Sequence, residues 1–127
     1  MAELGIREPM LVKDAMSSPV ITIKEDDTIN KAATLMKNYK VGCLIVVAGN
    51  NRPIGIITER DIVTRIVAED LKPSKMTAKE IMSTPLITIS PEETLNEAAR
   101  RMSRLNIRRL GVIYKGKLVG IISSKDI

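Results

Sequence analysis

Asp14-Ala-Met-Ser-Ser-Pro-Val-Ile-Thr-Ile23 returns 66 positions later as Glu80-Ile-Met-Ser-Thr-Pro-Leu-Ile-Thr-Ile89, and this echo decides the fold. Working outward, Thr28-Ile-Asn-Lys-Ala-Ala-Thr-Leu-Met36 matches Thr94-Leu-Asn-Glu-Ala-Ala-Arg-Arg-Met102 at the same spacing. One residue then drops out of the later loop, and Gly55-Ile-Ile-Thr-Glu-Arg-Asp-Ile62 becomes Gly120-Ile-Ile-Ser-Ser-Lys-Asp-Ile127. Two copies of one supersecondary unit, each too small for its own core, are expected to pack through their sheets about a pseudo-twofold axis. Paired clefts at such a seam suit ligands. The repeats are drawn at residues 8–70 and 71–127, and the chain reads as a binding module.

Composition narrows the chemistry. A chain of 127 residues fits one domain built from two halves. Two Tyr and no Phe or Trp leave Ile, Val, Leu, Met and Ala to build the core. Few rings also means few stacking platforms for single-stranded nucleic acid. The net charge of +5 suits an anionic ligand, a nucleic acid or plain solubility. Basic residues are scattered, apart from Arg100, Arg101, Arg104, Arg108 and Arg109, and a solvated surface is the plainer reading. A single cysteine, Cys43, excludes an intramolecular disulfide and fits a reducing compartment. It sits in the apolar run Val41–Val47, where a small buried residue is expected. With no visible signal peptide or membrane-length apolar run, cytoplasmic is the simplest location, with no membrane contact.

Each repeat reads β-α-β-β-α, an α/β (α+β) pattern, with the last helix clear only in the first copy. Val20–Ile23 and Leu86–Ile89 follow a Ser/Thr-Pro step as short strands. Ile29, Ala32, Ala33 and Met36, then Leu95, Ala98, Ala99 and Met102, carry i, i+3, i+4, i+7 spacing and predict two amphipathic helices. The second starts either in a capping box at Ser90-Pro-Glu-Glu93 or a turn later at Thr94. Leu44–Val47 and Leu110–Ile113 are strands buried on both faces, each paired as a hairpin with the strand that follows. Ile62, Val63, Ile66 and Val67 mark the face of a second helix. The second copy stops at Ile127, where that helix is due to begin; either the chain was cut there or something else covers the surface.

No histidine occurs, which removes most acid/base, triad and zinc schemes. The acidic groups Glu25-Asp-Asp27 and Glu92-Glu93 precede helices, where they favour the dipole. No Gly-rich phosphate loop is present. A catalyst is not expected, and neither a metal nor a required cofactor. What remains is the duplicated strand, Ser/Thr, then Asp three residues on. As structure it is a capping-box variant. As a site, the same geometry offers free amides and a hydroxyl to a phosphate. The aspartate can accept from a pair of ribose hydroxyls, and the glycine lets the strand approach a ligand.

The full order, Met-Ser-x-Pro, strand, acidic turn, Ala-Ala helix, apolar strand and Gly-Ile-Ile-Thr/Ser-x-x-Asp-Ile, resembles the cystathionine-β-synthase (CBS) domain. The tandem pair resembles a Bateman module over almost all of the chain, from about Val12 to Ile127. The resemblance implies an adenosine ligand, AMP foremost, with ADP, ATP and S-adenosylmethionine as alternatives. It implies two clefts. The first takes Ser123 for phosphate and Asp126 for ribose, with Lys125 nearby. Adenine there lies against Val12, Lys13 and Asp14 and the strand opening Val41, Gly42 and Cys43. The second uses Thr58 and Asp61, with Arg60 and with Ala78, Lys79 and Glu80, and is faced by the strand opening at Ile107. Arg108 and Arg109 match basic positions that reach phosphate in AMP-binding members, where the first repeat has Gly42 and Cys43. That asymmetry favours a charged nucleotide at the Ser123/Asp126 cleft. Because adjacent strand residues point to opposite faces, the two arginines are not expected to share one job. Ile45 and Gly111 depart from the commoner pattern, which has Pro there.

The resulting expectation is a non-catalytic regulatory sensor of an adenine nucleotide, a homodimer or the regulator of an enzyme or transporter. A ligand-free dimerisation scaffold is the alternative, with nucleic-acid binding behind it.

Overall fold

Residues 8–127 are described in this structure, a computed structural model. The duplication is repeated element by element. The first copy runs α1 (Val12–Ala15), β1 (Thr22–Lys24), α2 (Ile29–Tyr39), β2 (Cys43–Val47) and β3 (Pro53–Thr58). The short helix α3 (Glu59–Ile62) follows and widens into a π-helical turn over Val63–Val67. The second copy runs α4 (Ala78–Ile81), β4 (Thr88–Ile89), α5 (Leu95–Leu105), β5 (Arg109–Tyr114) and β6 (Lys117–Ser123), ending in a 3-10 turn at Ser124–Asp126. Each copy yields a three-stranded sheet, β1-β2-β3 or β4-β5-β6, whose first pair is parallel and second antiparallel. The mixed α+β class and the hairpins match the reading of the sequence.

Local chemistry sets the helix limits. Thr28 and Thr94 cap α2 and α5, their hydroxyls accepting from the N–H of Lys31 and Glu97 at 3.2 and 3.1 Å. The second helix therefore starts at Thr94 and not at Ser90. Both helices stop at a residue in the left-handed region, Lys40 (φ 56°) and Asn106 (φ 54°). On α2, Ile29, Ala32 and Met36 are buried, but Ala33 is exposed and Leu35 takes the fourth apolar contact. The first strands are also shorter than expected, starting at Thr22 and Thr88.

The compact units are not the two sequence halves. One comprises residues 8–19 with Thr88–Ile127, the other Val20–Ile87. The lead-in of each repeat thus belongs in space with the body of the other. In the first unit the N–H groups of Val12 and Lys13 donate to the carbonyls of Glu93 and Pro91, and Ser17 pairs with Ile121. In the second, Ala78 and Lys79 donate to Asp27 and Glu25, and Ser83 pairs with Ile56. Val12 and Ala78 are fully buried, so each lead-in is sealed by an apolar anchor as well as by backbone bonds.

Gly55 and Gly120 make this crossing fit. A Cβ on Gly55 would lie 2.5 Å from Met82 Sδ and 2.9 Å from the Ser83 carbonyl oxygen. On Gly120 it would lie 2.6 Å from Met16 Sδ and 3.0 Å from the Ser17 carbonyl oxygen. The close approach that these glycines permit is to the Met-Ser step of a lead-in, where the sequence had suggested a ligand. Gly55→Ala is expected to cost about 1–3 kcal/mol, because a backbone oxygen must move. Gly49→Ala, with nothing within 4 Å of its Cβ, serves as the neutral control. Equal urea midpoints for the two variants would contradict this packing.

The core of the Val20–Ile87 unit gathers Ile23, Ile29, Met36, Leu44, Val46, Ile57, Ile66 and Ile81. Of the apolar face expected on the second helix, Ile66 is buried and Ile62 packs against the core, whereas Val63 and Val67 are exposed. That expectation is corrected: past Ile62 the chain leaves the α-helix for a π-helical turn, and only Ile62 and Ile66, four residues apart, meet the core. In the other unit, the surface beside α5 is an open groove of about 370 Å³. Met102, Asn106, Ile107, Arg108 and Ile127 line it.

Candidate functional site

The duplicated signature ends β3 and β6 and turns into the following helical residues. Thr58 N–H donates to Asp61 Oδ2 at 2.9 Å, and the Thr58 hydroxyl lies 3.1 Å from the same oxygen. Ser123 and Asp126 repeat this at 2.8 and 3.2 Å. Both are complete reciprocal caps, so each aspartate first serves to hold its turn.

Within the unit holding Ser123, the neighbouring cations gather. Arg109 is the register partner of Ser123 on β5, and the Arg108 carbonyl accepts from Ser124 N–H at 2.9 Å. Arg109 is half-buried while Arg108 is exposed on the groove, as opposite faces of a strand require. Among the described residues, Arg108, Arg109 and Lys125 make no ion pair. Asp126 Oδ1 has no hydrogen-bond partner there either. Lys13 lies in the same unit but is paired with Glu92 at 3.3 Å. Asp14 caps its own helix, accepting from Leu11 N–H at 3.0 Å.

Val41, Gly42 and Cys43 fall in the other unit. There Cys43 pairs with Thr58, and the Gly42 carbonyl accepts from Glu59 N–H at 3.0 Å. Each strand opening thus adjoins the signature of its own repeat, and Ile107 shares a unit with Ser123 and not with Thr58. Cys43 is half-buried, more open than the run around it suggested. Of the remaining candidates, Arg60 is exposed and Lys79 reaches Glu25 at 4.0 Å. Glu80 accepts from the Thr77 N–H and hydroxyl at 2.9 and 3.0 Å, and these bonds hold its carboxyl below the usual range.

Sequence reading missed Arg65 and Ser83. The Asp61–Arg65 spacing of four along one helix was the available signal.

The model of the CBS domain matches residues 12–68 and again 78–127. The chain belongs to the CBS-domain family. It is 36% identical over 91% of its length to the CBS domain-containing protein YhcV of Bacillus subtilis, spanning 81% of that protein. A Methanopyrus kandleri protein is 38% identical over 85% of this chain, which spans only 56% of that relative. Among solved structures, a CBS domain protein from Pyrobaculum aerophilum complexed with AMP superposes with a TM-score of 0.83. It is 33% identical, covering 92% of this chain and 89% of the other. Among the described residues of this CBS protein, no helix is long and apolar enough to cross a membrane. Nor does any group of His, Cys, Asp and Glu there have the makings of a metal site.

Proposed function

We propose that this CBS protein is a non-catalytic regulatory module that binds an adenine nucleotide, AMP foremost, through Ser123 and Asp126. One observation carries the reading: among the described residues, a capped aspartate with an unengaged oxygen shares a unit with three cations, Arg108, Arg109 and Lys125, that no acid neutralises. A carboxylate oxygen accepts ribose hydroxyls, and unpaired guanidinium and ammonium groups attract phosphate. The AMP complex of the Pyrobaculum relative supports the same ligand class. Lys13, Asp14 and the second set at Thr58, Arg60, Asp61, Ala78, Lys79 and Glu80 complete the candidate positions.

Bound nucleotide acts on a partner only through differential affinity for two arrangements of the protein. Dimerisation is a second reading with its own support, the exposed Val63, Val67 and Leu71. Cytoplasmic location, and an enzyme or transporter as the regulated partner, belong to the same proposal.

The test is a thermal-shift titration with AMP, ADP, ATP and S-adenosylmethionine at fixed salt. A ligand that binds only the folded state adds about 2.7 kcal/mol at a hundred times its Kd. A saturable rise of several degrees with an adenine nucleotide is the expected result. No rise with any of the four would leave the dimer scaffold as the better reading.

A further inference from the structure

Asp61 is engaged through both of its carboxylate oxygens. Both aspartates give Oδ2 to the Ser/Thr cap, but at Asp61 the second oxygen is engaged as well. The Ser83 hydroxyl donates to Oδ1 at 3.4 Å, and Arg65 Nε stands 3.8 Å from it. Arg65 is itself fixed, its Nη1 donating to the carbonyls of Ile81 at 2.8 Å and Met82 at 3.3 Å. These carbonyls belong to the lead-in that Ser83 stitches to Ile56 on β3, so the arginine's position is set by backbone. The Asp61 side chain is only 12% exposed. At the equivalent place in the other unit, Ser17 stands where Ser83 does, yet makes no bond to Asp126 among the described residues.

The geometry points to Asp61 as a ribose-type position that the chain fills with its own groups, Arg65 and Ser83 being the residues that decide its occupancy. This rests on the nucleotide reading above. A carboxylate that already accepts three hydrogen bonds and has a guanidinium 3.8 Å from its second oxygen has little to offer an incoming diol. A ligand hydroxyl must displace the Ser83 hydroxyl and draw Asp61 away from Arg65. The guanidinium is held by two carbonyls, one of them part-buried, and swinging aside gives up both bonds. Thr58 and Asp61 therefore stay empty at AMP concentrations that fill Ser123 and Asp126, and each chain takes up one equivalent.

Calorimetric titration of the 127-residue chain with AMP tests this directly. The wild type is expected to bind one equivalent per chain. The double variant Arg65→Met with Ser83→Ala keeps an apolar stem, removes both groups that face Asp61 Oδ1 and is expected to bind two. Circular dichroism checks its fold; if it fails, Ser83→Ala alone, which leaves Arg65 on its carbonyls, is expected to add a second, weaker event. Two equivalents in the wild type, or one in the opened variants, overturn the self-filled position while leaving the nucleotide reading intact. Absence of binding in every protein overturns the nucleotide reading itself.

Discussion

Ile66→Ala is expected to destabilise the protein by about 2–5 kcal/mol, whereas Val67→Ala, one residue on, is expected to stay within about 0.5 kcal/mol. Ile66 is fully buried in the cluster with Ile29, Ala32, Met36 and Leu44, and Val67 is 67% exposed. Deleting the Ile66 side chain removes its transfer free energy and leaves a void that the flanking helix α2 and strand β2 cannot close. Arg65 adds to the rigidity, because its bonds to Ile81 and Met82 tether the same π-helical turn. Urea unfolding measures both variants. The informative failure is Val67→Ala costing as much as Ile66→Ala. That would mean that the Val63/Val67 face is covered in solution, which is the signature of assembly through this surface.

This contrast also marks what was legible in the sequence. Elements whose cause is local were readable: the two amphipathic helices, with Thr94 as one of two starts for the later one, the apolar strands, and the hairpins of each repeat. The signature was readable too, as a cap and as a candidate site at once. What escaped has tertiary causes. No local propensity says that residues 8–19 pack with the body of the second repeat; only the resemblance placed residues 12–14 with Ser123 and residues 78–80 with Thr58. Gly55 and Gly120 were therefore credited to a ligand when Met82 and Met16 occupy the space beside them. Likewise, Ala33 and Leu35 are equally plausible by periodicity, and only the sheet chooses between them. Arg65 could be paired with Asp61 by spacing, but its carbonyl acceptors lie 16 and 17 residues away. The outcome at Asp61 follows from the same crossing, since Ser83 reaches it only because the second lead-in passes over β3.

Asp126→Ala is expected to weaken AMP binding by about ten- to a hundredfold. Hydrogen bonds to a charged group contribute about 1.5–3 kcal/mol, and about 1.4 kcal/mol is a tenfold change in Kd. The fold should survive, because Asp126 supports only the last turn, through its bonds to Ser123; the lost cap costs about 0.5–2 kcal/mol. Asp126→Asn separates the two roles. Its amide oxygen can still accept from Ser123 N–H and restore the turn, but the charge is gone and the outer atom becomes a donor that a ribose hydroxyl meets less well. Binding should therefore remain weak in the asparagine variant while stability returns. If Asp126→Asn binds AMP as tightly as the wild type, the carboxylate contributes only as a cap. The ribose must then be held elsewhere, with Arg108, Arg109 and Lys125 as a phosphate site alone. Raising the salt distinguishes that case, because binding carried by exposed cations falls with ionic strength more steeply than binding anchored on a half-buried acceptor.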